Sequence, residues 1–306
     1  MSTIISIVGP RHNHSYTHTI MRSLRRFECL AVLLVVFALE GVSAADRYFV
    51  SKDVKLWYVE DGQGLPVVLI HGLTVDSDWQ WGEPGITKAL AQNYRVIAFD
   101  CRGHGRSDKP HESAAYGIEM VEDVCRLLDH LKIKKAHIVG YSLGSSIALK
   151  LLVSHPERCS SVIIGDTAVY HEHYDFSAED KAARNMGLVS SAEEVMPKPP
   201  PEAPASVVRR REAWVGMPHD FKAYAAALQS LSALRVSDAE LRANRVPTLG
   251  LFCKADSRTE YLTNHLSNFK TAFIGGSHQD GFLRPEFLDN LKAFLDAERD
   301  KEKRIP

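Results

Sequence analysis

The apolar positions of this chain follow two different periods. "RYFVS" and "VKLWYVEDG", joined by Lys52-Asp53, alternate around a tight turn and predict an antiparallel hairpin beginning at residue 47. The next apolar runs do not alternate. "PVVLIHG" (66–72), "YRVIAFD" (94–100), "AHIVG" (136–140), "SVIIGD" (161–166) and "PTLGLF" (247–252) are continuous and β-branched, as expected of parallel strands covered on both faces. Between them the period becomes helical. Met120, Val121, Val124, Leu127, Leu128 and Leu131 form one face, with Glu122, Asp123, Arg126 and Asp129 opposite. A last helix should begin at "RP" (284–285) and pack on the sheet through Phe287, Leu288, Leu291 and Leu295.

The alternation predicts an α/β fold: a mostly parallel central sheet with helices on both faces. Its core comprises residues 46–166 and 246–306. Residues 167–245 interrupt it with "HEHYDFSAEDKAARNMGL", the proline-dense "PKPPPEAP" and the helical "DFKAYAAALQSLSALR". So long an insertion reads as a helical cap, with irregular chain at the prolines.

Residues 1–45 form an N-terminal extension. Arginines at 22, 25 and 26, an apolar run from Cys29 to Leu39 and small residues at Val42 and Ala44 follow the order of a secretory signal peptide. Cleavage near Ala44 or Ala45 is expected, giving an exported protein. The polar first twenty residues fit no part of such a signal, which points to Met21 as the start in preference to Met1. The apolar run is too short for a stable membrane anchor. Of five cysteines, Cys101, Cys125, Cys159 and Cys253 would remain after cleavage, either paired as disulfides or buried as small hydrophobes. The composition, 45% hydrophobic and 25% charged with net charge -1, is that of an ordinary globular chain and offers no basic patch for nucleic acid.

The candidate chemistry lies where "AHIVG" meets "SIALKLLVSH". Gly140-Tyr141-Ser142-Leu143-Gly144 fits G-x-S-x-G between a strand and a helix, the nucleophile elbow. The glycines permit the sharp turn, and the helix N-terminus beside Ser142 favours negative charge developing on a tetrahedral intermediate. His71-Gly72 ends another strand and opens a loop at the same sheet edge; "DCRGHGRSD" follows a third.

Taken in order, "HG", "DCRGHGRSD", "GYSLGS" and a late "GSH" resemble the α/β-hydrolase family over about residues 47 to 298. The resemblance implies a serine hydrolase with an oxyanion hole from the backbone N–H groups of Leu73 and Leu143. The family's order of serine, acid, histidine selects His278 as the base that activates Ser142. His71 and His104 fall in structural motifs, and His171 and His173 in the cap. For the acid, Asp256 beyond "PTLGLF" is preferred, and Asp166 at the end of "SVIIGD" is the rival, because some family members carry their acid there. Ser145, in place of a common glycine, and Cys253-Lys254-Ala255 before the acid depart from the usual pattern.

No cofactor or metal is implied; His171-Glu172-His173 has no standard zinc spacing. Serine at the elbow disfavours dehalogenase and epoxide hydrolase chemistry, which uses an aspartate there. Trp79, Tyr141 and Phe282, together with Trp81, suggest a small-molecule site for an apolar acyl group, or else are core residues. The expectation is a carboxylic ester or lactone hydrolase. The alternatives are C–C hydrolysis, perhydrolysis, or a small-ligand receptor that keeps the triad.

Overall fold

The computed structural model describes residues 47–303. The expected signal peptide and its cleavage site lie outside them. Eight strands form one sheet: β1 (Arg47–Ser51), β2 (Val54–Asp61), β3 (Pro66–Ile70), β4 (Arg95–Phe99), β5 (Ala136–Tyr141), β6 (Cys159–Gly165), β7 (Thr248–Phe252) and β8 (Phe269–Phe273). Their order is β1-β2-β4-β3-β5-β6-β7-β8. The first two strands join antiparallel, pairing Ser51 with Val54 and Tyr58 with Phe99, and every later pairing is parallel.

The continuous apolar runs have the double burial that their pattern requires. Val68, Ile70, Ile97, Phe99 and Ile138 face one core, with helices α2 (Ile118–His130) and α3 (Leu143–Ser154). Their neighbours Val67, Leu69, Val96, Ala98 and Val139 face the other, with α1 (Ile86–Ala91) and, near the C-terminus, α10 (Pro285–Glu302). Successive strand side chains point to opposite faces, so both of these registers are filled by apolar residues. On α10, Phe287, Leu291 and Leu295 are fully buried, as their spacing predicts.

The segment between β6 and β7 carries α4 (Ser177–Met186), α5 (Ala192–Val195), α6 (Ala205–Val215), α7 (Phe221–Gln229) and α8 (Asp238–Ala243). The proline stretch 197–204 contains no helix or strand. Helix α4 packs against α7. A final helix, α9 (Ser257–His265), joins β7 to β8. No helix among the described residues is long and apolar enough to cross a membrane.

Candidate functional site

Strand β5 ends at Tyr141 and α3 begins at Leu143, so Ser142 alone makes the turn, with φ 54° and ψ -120°. A positive φ is unfavourable for a serine by about 1–3 kcal/mol, and the surroundings must hold it. They do so from both sides. The Ser142 N–H donates to the Gly165 carbonyl at 2.9 Å, and the Ser142 carbonyl accepts from the Ser145 N–H at 2.9 Å. A Cβ at Gly140 would lie 2.2 Å from the Gly144 oxygen, and one at Gly144 would lie 2.1 Å from the Ile70 oxygen. The two glycines of the motif are therefore steric requirements of the turn. Ser145 is not a mere space-filler: its hydroxyl donates to the Gly165 carbonyl at 2.9 Å and accepts from the Gly165 N–H at 2.8 Å, tying α3 to β6.

His278, in the loop between β8 and α10, places Nε2 3.0 Å from the Ser142 hydroxyl oxygen. Its Nδ1 lies 2.8 Å from Oδ2 of Asp166. An ionised carboxylate can only accept, so Nδ1 carries the proton and Nε2 is left to accept from the serine. The Tyr141 hydroxyl donates to the His278 carbonyl at 2.9 Å and holds the loop beneath the ring.

The carboxylate preferred from sequence is not the one that reaches the histidine. Asp256 is the N-cap of α9: its Oδ1 accepts from the Arg258 N–H at 3.0 Å, and its Oδ2 accepts from Nε and Nη2 of Arg258 at 2.9 and 2.6 Å. Both oxygens are thus committed to Arg258. Asp166 ends the strand directly beside β5, one strand nearer Ser142, and its side chain is only 4% exposed. The expectation for Asp256 is corrected to Asp166 on this geometry. Arg258, which the sequence reading missed, links the two acids: Nη2 lies 3.3 Å from Asp166 Oδ1, and Nη1 donates to the Thr167 carbonyl at 3.0 Å. Burial by itself would raise the Asp166 pKa, but the His278 hydrogen bond and the Arg258 charge outweigh it and hold the carboxyl below its ordinary value.

The loop after β3 faces the serine. The Gly72 N–H donates to Oε1 of buried Gln80 at 2.7 Å, and a Cβ on Gly72 would meet the Ser142 Cβ at 3.2 Å. His71 is structural: Nε2 accepts from the Cys101 N–H at 2.9 Å, Nδ1 bonds the Gly72 carbonyl, and burial pushes its pKa down. Leu143, as the first residue of α3, has no acceptor within its own helix. Leu73 and Leu143 both line a cavity of about 390 Å³ that opens over Ser142 and His278 and is roofed by α4 and α7.

The three aromatics expected to bind substrate do not line this cavity. Tyr141 and Phe282 are 2% and 3% exposed and pack on each other at 5.2 Å between ring centres. Trp79 packs on Phe282 with the rings tilted by 50° and lies under the Arg210 guanidinium, 3.8 Å away, beside a different cavity. Tyr141 at a strand end and Phe282 in a buried loop belong to the core, and the cap supplies much of the cavity wall instead. For metals, His171 stacks on Tyr261 rather than converging with Glu172 and His173. Among the described residues, Glu122, Cys125 and His155 are the one group with metal-ligating atoms in mutual reach, and Glu122 and His155 are hydrogen-bonded to each other at 2.8 Å.

Residues 66–198 match the family model of the alpha/beta hydrolase fold. Epoxide hydrolase B of Mycobacterium tuberculosis is 39% identical over 104 residues, which cover 34% of this chain and 29% of that protein. The 2-hydroxymuconate semialdehyde hydrolase of a Pseudomonas species is 32% identical over 126 residues, 40% of this chain and 43% of its own. The chain thus spans less than half the length of these curated relatives. Among solved structures, the enol-lactonase from Burkholderia xenovorans superposes with a TM-score of 0.67 at 24% identity, over 82% of this chain and 100% of that one, and shares the fold.

Proposed function

Because the chain belongs to the α/β-hydrolase fold family, we propose that it is a serine hydrolase that cleaves a carboxylic ester or lactone of a small substrate through an acyl-enzyme. The observation that carries this reading is the hydrogen-bonded line from Asp166 through His278 to Ser142, with spacings of 2.8 and 3.0 Å.

In this reading the Ser142 oxygen attacks the substrate carbonyl while its proton passes to Nε2 of His278. The developing oxyanion is received by the N–H groups of Leu143 and Leu73, and by the positive end of α3. Asp166 holds the ring in the tautomer that can accept, and stabilises the imidazolium that forms. Collapse of the intermediate breaks the bond to the leaving oxygen, which takes the proton from His278. A water, deprotonated by the same nitrogen, then releases the acid and restores Ser142. The loop geometry that brings Leu73 opposite Ser142, and the apolar cavity between cap and sheet, support a small acyl group in that position.

C–C bond hydrolysis is the second reading, favoured by the likeness to 2-hydroxymuconate semialdehyde hydrolase. A panel of p-nitrophenyl esters, lactones and vinylogous diketones, assayed with wild type and Ser142→Ala, separates the two. Turnover of esters or lactones that disappears in the variant supports the leading reading; turnover confined to diketones supports the second. We also propose export, on the N-terminal pattern alone.

A further inference from the structure

The cavity over Ser142 is mostly apolar, with Leu73, Leu143, Tyr170, Leu228 and Leu231 among its walls. Its hydroxyl groups are already engaged. Ser146 and Thr167 bond each other at 2.9 Å, and the Thr167 hydroxyl also lies 3.0 and 2.9 Å from the Ser142 and Ala168 carbonyl oxygens, to one of which it can donate. One lining residue differs from all the others: Glu179, on the cavity side of α4, is the only carboxylate or cationic side chain in the wall apart from His278. Its Oε1 accepts from the Tyr174 hydroxyl at 2.7 Å. Its Oε2 is buried and has no hydrogen-bond partner.

A buried carboxylate oxygen without a donor is costly. A group that brings a donor to it recovers that cost, and a positively charged donor recovers most. Nothing among the described residues does so. Glu179 takes part in none of the ion pairs among the described residues. Arg258 is committed to Asp256 and Asp166, and Arg235 to the Glu172 and Tyr174 carbonyls and the Phe176 ring.

We infer that Glu179 is the specificity residue of this cavity, selecting an acyl group whose far end carries an ammonium and rejecting one that ends in a carboxylate. The inference rests on the acyl-enzyme reading of Ser142, since that reading fixes which end of the substrate enters the cavity. Glu179 touches no reacting atom. Its effect is on acyl-group binding, and so on KM more than on kcat.

The test compares the p-nitrophenyl esters of hexanoate, 6-aminohexanoate and adipate, which share a leaving group and a chain length and differ only in the terminal group. Wild type should favour the aminohexanoyl over the adipoyl ester by about tenfold or more in kcat/KM, equivalent to about 1.4 kcal/mol, expressed mainly in KM. In Glu179→Gln the two should come within about threefold, the change appearing in KM rather than kcat. Equal or reversed preference in wild type, or a preference that survives in Glu179→Gln, overturns the inference. Calorimetric binding of hexylamine and hexanoate to both proteins needs no turnover. If no ester is cleaved but hexylamine binds in a Glu179-dependent way, the hydrolase reading fails and the role of Glu179 stands. If esters are cleaved but hexylamine shows no dependence on Glu179, the reverse holds.

Discussion

Asp166 and His278 are 112 residues apart in sequence, yet Oδ2 of one lies 2.8 Å from Nδ1 of the other, while Asp256 faces only Arg258 and its own helix. The two carboxylates are therefore expected to separate in mutagenesis. Asp166→Asn should lower kcat by about 10³–10⁴, the loss expected when the tautomer-holding acid is removed. Asp256→Asn should stay within about tenfold of wild type in kcat and lose about 1 kcal/mol of stability or less, because asparagine keeps the helix cap and only the partly exposed charge pair with Arg258 is given up. Steady-state kinetics and denaturant unfolding of both variants check this pair of outcomes.

The elbow glycines lead to a second prediction, because the obstacle at each is backbone and not a side chain that can swing away. Gly144→Ala drives a methyl into the Ile70 carbonyl, and Gly140→Ala drives one into the Gly144 peptide. Each should destabilise the protein by about 3 kcal/mol or more. Ser142→Gly, which relieves the positive φ, should abolish ester turnover while leaving stability equal to wild type or higher. Thermal melting of the three variants reads the stability changes, and an ester assay of Ser142→Gly reads the loss of turnover.

Acid stability follows from buried histidines. His137 on β5 is 1% exposed, its Nδ1 is 2.8 Å from the Ser161 hydroxyl, and burial lowers its pKa to about 4. In the unfolded chain it titrates near 6.5, so between those values the unfolded state binds the extra proton. Its contribution is complete above pH about 6.5 and is lost as pH falls through about 4, a change of about 3 kcal/mol. Burial also depresses the pKa values of His71 and His104, in the same sense. Urea unfolding at pH 7 and pH 5 should show the loss, and His137→Gln should flatten the slope.

The four cysteines of the described residues are free, and three of them are buried. Burial pushes the Cys125 thiol up to about 11 and the Cys159 thiol up to about 12, which suppresses their thiolates. Iodoacetamide should leave Cys101, Cys125 and Cys159 unmodified in the native protein and alkylate them with Cys253 after unfolding without reductant. Protection of any pair after unfolding would reveal a disulfide.

The strands were legible because covering a parallel sheet on both faces requires continuous β-branched runs, and "PVVLIHG" or "AHIVG" admit few other readings. The turn at Ser142 and the place of His278 were legible for a related reason: a sharp strand-to-helix turn restricts its neighbours to glycine, and the final loop is fixed by chain order. The carboxylate that reaches His278 was not. Asp166 and Asp256 both end apolar strands and both lie between the serine and the histidine. What separates them is Arg258, two residues beyond Asp256, whose guanidinium takes that carboxylate out of contention. An arginine that close to a candidate acid, beside a helix start, was the signal available. The cavity wall was least legible, because Glu179 and Leu228 meet only through packing of α4 on α7, and no local period records that contact. Aromatic residues near the elbow, Tyr141 and Phe282, drew attention that their burial does not support.

The proposed chemistry requires that Ser142 act as an acyl-accepting nucleophile, activated by His278 and Asp166. Intact-mass and peptide analysis after treatment with a fluorophosphonate probe is the sharpest test. A single adduct is expected on Ser142, absent in Ser142→Ala and formed far more slowly in Asp166→Asn but not in Asp256→Asn. A folded wild-type protein that takes up no probe, or that carries it on a residue other than Ser142, would rule this chemistry out.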